Sequence, residues 1–102
     1  MRKNAKESGS KSKSQGSIFT ARQGQFLAFI HHYGIVMGVA PSEADMQRFF
    51  RVSPPSVHSM VLMLERRGFI HRTPYQARSI TLLIPPEFLP ILERTQPSPG
   101  QP

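Results

Sequence analysis

Apolar residues recur at helical spacing in three stretches of the chain, and the spacing changes to that of strands in its last third. In the first stretch Phe26, Leu27, Ile30 and Tyr33 fall at three- and four-residue intervals, and Phe29 widens the stripe. Thr20-Ala21-Arg22-Gln23 has the spacing of a capping box, in which the first and last side chains each accept from the other's backbone N–H. The pattern predicts a helix that opens at Thr20 and stops at Gly34, with His31 and His32 in its last turn. Gly24 weakens such a helix by about 1 kcal/mol against Ala, so it marks a close contact with another helix. The apolar run from Ile35 to Ala40 fits either a short strand or a packed loop. A second helix opens at Ser42. Glu43 and Asp45 place negative charge in its first turn, and Met46, Phe49 and Phe50 form its apolar stripe.

The third stretch, Ser53 to Ile70, carries its own start and stop. Ser53 is the expected N-cap, and Pro54 stands at the first helical position, where a missing N–H matters least. Gly68 supplies the left-handed residue that ends the helix, and Arg66 and Arg67 lie in the last turn, against the negative end of the dipole. Val57, Met60, Val61 and Leu64 form the buried face. Ser56, His58 and Ser59 fall off that face near the helix start. Arg51-Val52-Ser53 leaves only a tight connection between the second and third helices, which is a helix-turn-helix pattern.

Beyond Gly68 the period becomes that of strands: Phe69-Ile70 and Ser79 to Ile84, the second rich in β-branched residues. Between them His71 to Arg78 forms a hairpin tip with Arg72, Arg78 and one tyrosine. The expected class is therefore α+β, a winged helix-turn-helix with three helices followed by a β-hairpin wing. Residues 18–84 form that domain. Residues 1–17, rich in Ser, Gly and Lys, read as a disordered basic tail. Residues 85–102 read as a proline-rich C-terminal segment. Its apolar residues Phe88, Leu89, Ile91 and Leu92 either contact a second copy, giving a homodimer through 88–92, or cover the domain's own core.

Charge narrows the partner. The 102 residues carry a formal +7, which points to a polyanion, most often nucleic acid. The tail holds five basic residues against Glu7, and the remainder has eight arginines against five acids. Arginine grips phosphate with a two-pronged geometry that lysine lacks. There are no cysteines, which excludes disulfides, thiolate metal sites and cysteine nucleophiles, and fits a reducing compartment. No apolar run reaches the roughly 20 residues that span a bilayer, so no membrane association is expected. No cofactor is expected either. The His31-His32 pair has no acidic or cysteine ligand at ligand spacing beside it, which argues against zinc. Paired carboxylates, a Gly-rich phosphate loop and a nucleophile motif are all missing, which argues against an enzyme.

From Phe19 to Ile84 the chain resembles the DNA-binding domain of the LexA repressors. The resemblance is carried by FTARQGQFLAFI, PSEADMQRFF, SPPSVHSMVLMLERRGFI and RSITLL, in that order. It implies a winged helix-turn-helix that docks on double-stranded DNA. The positions matching the family's base readers are Ser53, Pro55, Ser56, His58 and Ser59. Pro55 has no side-chain donor, so the family's operator sequence does not carry over. The full repressors continue into a self-cleaving serine–lysine peptidase domain, which these residues do not include.

Together these features lead to an expected transcriptional regulator that acts in the cytoplasm, on the nucleoid. Ser56, His58 and Ser59 face base edges from the third helix, in the major groove. Ser53 and Arg51 contact the backbone, and Thr20 and Arg22 meet phosphate at the start of the first helix. Arg72 and Arg78 clamp the flank from the wing, so that removing Arg78 lowers the salt slope by about 1. A base contact through His58 would depend on its protonation. The alternative is a winged helix that docks a protein, with only non-specific DNA attraction through the tail.

Overall fold

The computed structural model describes residues 18–93. Helix α1 spans Ala21–Met37, α2 spans Glu43–Phe50 and α3 spans Pro54–Arg66. The strands β1 (Ile70–His71) and β2 (Thr81–Leu82) pair antiparallel, with Ile70 opposite Leu82 and His71 opposite Thr81. A 3-10 turn follows at Pro86–Phe88. Three helices followed by a two-stranded hairpin are the expected winged helix-turn-helix.

Each helix begins on a side-chain cap, and two of the caps are reciprocal. Thr20 and Gln23 form the expected capping box on α1. Ser42 and Asp45 form a second on α2, where Asp45 accepts from the Ser42 N–H at 2.8 Å. Ser53 caps α3 ahead of Pro54. The exit of α3 is a Schellman motif. Gly68, at φ 80°, donates to Glu65 O, and Phe69 donates to Leu64 O at 2.9 Å. That geometry turns the chain straight into β1 and drops Phe69 into the core.

The core lies where the three helices and the hairpin meet. Phe26, Leu27 and Ile30 of α1, Met46 and Phe50 of α2, Val57, Val61 and Leu64 of α3, and Ile70 of β1 are all buried. Phe50 stacks on Phe26 with centroids 4.0 Å apart, and Phe29 and Phe49 meet it edge-on at 5.6 and 4.9 Å. Aromatic pairs in such geometries add to what burial alone provides.

Three local expectations are corrected. Gly34 does not stop α1, which runs three residues further to a left-handed cap at Gly38, φ 76°. A glycine lowers helix stability by about 1 kcal/mol but leaves the hydrogen-bond ladder whole, and no proline intervenes before Pro41. His31 and His32 therefore sit inside the helix, not in its last turn. Ile35 to Met37 is helical, not a strand or loop, and its side chains are exposed. The strands are also shorter than Phe69-Ile70 and Ser79–Ile84, although the ladder continues as Leu83 donates to Phe69 O at 2.9 Å.

Gly24 marks a close contact, made by loops and not by a helix. A Cβ there would lie 2.8 Å from a ring carbon of Phe19 and 3.0 Å from Pro90. Part of the proline-rich segment thus packs onto the domain instead of standing apart. Leu89 and Leu92 rest against the core, while Phe88 and Ile91 stay exposed. Gln25 holds this segment by donating to Ile91 O at 3.0 Å and accepting from Glu93 N–H at 2.8 Å. The expectations for residues 1–17 and for the end of the 85–102 segment fall outside the described residues.

Candidate nucleic-acid interface

The start of α3 is an open surface of small polar groups. Ser53, Pro54, Pro55, Ser56, His58 and Ser59 are all exposed, whereas Val57 between them is fully buried. Burying Val57, Val61 and Leu64 fixes the rotation of the helix, so the small polar residues must face outward. The Ser53 hydroxyl accepts from the Ser56 N–H at 3.3 Å and donates to the Ser56 hydroxyl at 2.9 Å. Val57 N–H is bonded to Ser53 O at 3.1 Å. Pro54 and Pro55 have no N–H at all. Within the first turn of this helix the backbone donors are thus absent or already bonded, which leaves the Ser53 N–H and the side chains to meet a nucleic acid.

His58 is not free. Its Nδ1 lies 3.1 and 3.3 Å from the two carboxylate oxygens of Glu43, at the start of α2. The pair sets a carboxylate beside the polar face and screens it with an imidazole. Sequence spacing gave no sign of Glu43, because the contact crosses the turn between the two helices.

The arginines divide into two groups. Arg22 and Arg51 form no ion pair among the described residues. Arg51 takes a left-handed conformation, φ 58°, as the cap that ends α2, immediately before α3. Arg22 lies over the stacked ring pair, 5.4 Å from Phe26 and 5.2 Å from Phe50, a cation–π arrangement that holds the guanidinium near the N-terminus of α1. Thr20, the cap of that helix, is exposed beside it. Arg72 and Arg78 are held by the domain instead. Arg72 donates to Glu65 of α3 at 3.1 Å. Arg78 donates through Nη1 to Tyr33 Oη, Ala40 O and Asp45 Oδ2 at 3.1, 3.0 and 3.0 Å. The structure thus gathers Ser53, Ser56, His58, Ser59 and Arg51 at one corner, and engages the two wing arginines with residues of the helices.

Asp45 is the anchor on the other side of that bond, buried with 8% of its surface exposed. Its carboxylate accepts from Ser42 N–H, Arg48 and Arg78. The Ser42 N–H is the largest influence. The Ser42 hydroxyl, Tyr33 and Arg78 add to it, burial opposes it, and the carboxyl group is held at about 2 against an ordinary 3.8. A carboxylate whose pKa falls on folding stabilises the fold above its unfolded value and loses that contribution as pH drops through the folded one. Asp45 should therefore contribute about 1–2 kcal/mol above pH 4, after allowance for solvent at the rim of the site. The difference in melting temperature between the unaltered chain and Asp45→Asn should close between pH 4 and pH 2. A difference that stays constant down to pH 2 would rule out this role of the charge.

Among the described residues no group of three His, Cys, Asp or Glu is placed to hold a metal ion. No described helix is long and apolar enough to cross a membrane. A cleft of about 280 Å³ lies between the start of α2 and the wing, lined by Ser42, Glu43, Arg72, Tyr75, Gln76 and Arg78 among others.

Comparison with known proteins bears on the whole of this surface. A family model described as the LexA DNA binding domain matches residues 17–79. The LexA repressor of Thermosipho africanus is 39% identical over 82 residues, which cover 80% of this chain and 41% of that protein. That of Thermosipho melanesiensis is 38% identical over 64 residues, 63% of this chain and 32% of the relative. That of Bartonella quintana is 35% identical over 71 residues, 69% of this chain and 30% of the relative. The chain thus spans well under half the length of these curated relatives.

Proposed function

The chain belongs to the LexA DNA-binding domain family, and from that premise we propose that it binds double-stranded DNA in a sequence-dependent way and regulates transcription. The observation that carries this is the exposed polar start of α3, which bears no acidic residue and is backed by a fully buried face. Ser56, His58 and Ser59 meet base edges in the major groove. Ser53 and Arg51 sit at the flanking backbone, and Thr20 and Arg22 reach the phosphates from the start of α1. The wing, which carries Arg72 and Arg78, lies along the flank. No step in this function calls for a cofactor or a catalytic group. The protein acts in the cytoplasm, on the nucleoid, and a second copy engages through Phe88 and Ile91 of the C-terminal segment.

One observation favours a second reading, docking of a protein. Ile35, Val36, Met37 and Val39 form an exposed apolar surface at the end of α1, larger than scattered surface residues require. The two readings separate in a single experiment: selection of bound duplexes from a randomised pool by the full chain, at two salt concentrations. Enrichment of one motif that persists at the higher salt supports the proposed function, and a palindromic or repeated motif identifies the second copy. Binding that is steeply salt-dependent with no enriched motif, or no binding, favours the docking reading.

A further inference from the structure

The wing is tied to the helices at its base by Arg72, which donates to Glu65, and farther out by Arg78. Its loop, residues 73–79, is closed by the Ser79 hydroxyl, which accepts from Thr73 N–H at 2.9 Å and donates to Thr73 O at 3.1 Å. Inside the loop Gln76 N–H donates to Thr73 O at 3.2 Å. Among the described residues, the only hydrogen bonds from this loop to the rest of the domain run through Arg78. They reach three separate elements: Tyr33 of α1, Ala40 in the connection after α1, and Asp45 of α2. The guanidinium also stands 5.9 Å from the Tyr33 ring centroid.

The backbone of the loop needs such a restraint. Tyr75 and Arg78 both take left-handed conformations, at φ 65° and 56°. A residue with a Cβ avoids that region unless its surroundings hold it there. Tyr75 projects into solvent from the tip of the wing at 106% relative exposure, and among the described residues its side chain has no hydrogen bond or ring contact. It shares the cleft beside α2 with Glu43, whose other side meets His58 of α3.

Taking the DNA-binding function above as its basis, we infer that Arg78 is a positioning residue, a latch that holds the wing against α1 and α2 and so presents Tyr75 as a DNA-contacting side chain. A phosphate contact by Arg78 would have to give up its bonds to Tyr33, Ala40 and Asp45 and leave that buried carboxylate with only Arg48 and the Ser42 N–H, which is unfavourable. The wing contact therefore passes to Tyr75, the exposed side chain at the tip of the wing. Tyrosine suits the task, since its ring packs on sugar and its hydroxyl bonds phosphate or a groove acceptor.

The test compares the full-length chain with Arg78→Ala, Tyr75→Ala and the double variant. Amide hydrogen exchange is measured on free protein. Binding is measured over a salt series with the duplex that the selection enriches. In Arg78→Ala the amides of Tyr75 to Ala77 should exchange at least about tenfold faster while those of α1 and α3 stay unchanged. Affinity should fall about tenfold with the salt slope unaltered. Tyr75→Ala should show a similar loss, and the double variant should be no weaker than either single one, since both remove the same contact. A salt slope lower by about 1 in Arg78→Ala would mean that it contacts phosphate and would overturn the inference. Unchanged wing exchange, or losses that add in the double variant, would overturn it equally. Should Arg78→Ala fail to fold, Tyr33→Phe removes one acceptor without altering charge, and wing exchange unaffected by it would count against the latch. If the unaltered chain binds no duplex, the proposed function falls. Faster wing exchange would then leave Arg78 as a structural strut only, and the inference about Tyr75 falls as well.

Discussion

Phe50→Ala should unfold most of the protein at physiological temperature. Phe50 lies at the centre of the aromatic cluster, stacked on Phe26 at 4.0 Å and edge-on to Phe29 and Phe49, with 4% of its surface exposed. Truncating a buried phenylalanine costs about 3–5 kcal/mol, because the lost transfer energy is joined by a cavity that neighbours fill only in part. Here the loss is compounded. The Arg22 guanidinium loses one of its two rings, and Phe26 loses its stacking partner. A small domain has about 5–15 kcal/mol in all, with the smallest near the bottom of that range. The melting temperature should fall by more than about 12 °C, given about 4–8 °C per kcal/mol at this size. Phe88→Ala, at a residue half exposed on the 3-10 turn, is the control and should shift it by only a few degrees. Equal shifts for the two variants would show that the core is not centred where the structure places it.

Ser56→Glu should do the reverse, leaving the fold intact and removing DNA binding. Ser56 is the third residue of α3 after its cap, Ser53, and is exposed. Glutamate at that position completes a capping box with a serine cap and places negative charge at the positive end of the helix. The melting temperature should hold or rise slightly. On DNA the same carboxylate meets phosphates and acceptor-rich base edges. Like charges brought together at an interface cost several kcal/mol, so affinity should fall by about 100-fold or more. Melting curves and a salt-matched binding titration read the two effects separately. Retained affinity would mean that the start of α3 does not enter the groove, and would move the proposed function to another surface.

The elements most legible in the sequence were those whose signals are local. The cap and proline that open α3, the glycine that ends it and the buried stripe between them are fixed by residues within one or two turns of each other. Gly34 misled for the same reason: a local stop signal was overridden by a hydrogen-bond ladder that a single glycine does not break. The wing was legible as a hairpin but not in its detail. Arg78 finds partners 33 to 45 positions away in the sequence, and no spacing rule reaches that far. The Glu43–His58 pair was invisible because it depends on how two helices cross. Asp45 was noted only as helix-start charge, although it also receives Arg78. In this chain polar side chains do much of the joining between elements, and such joints leave little trace in hydrophobic periodicity.

The contact at Gly24 has a mechanical consequence. Phe19 and Pro90 meet over that glycine, and Gln25 one residue on grips Ile91 and Glu93. Both ends of the described chain are thereby fastened to the same turn of α1. Tension applied through the two ends would load this turn of α1 and, through the Phe19–Phe69 ring contact at 6.0 Å, the exit of α3. One turn of α1 thus serves as a common anchor for residues from the beginning and the end of the described chain.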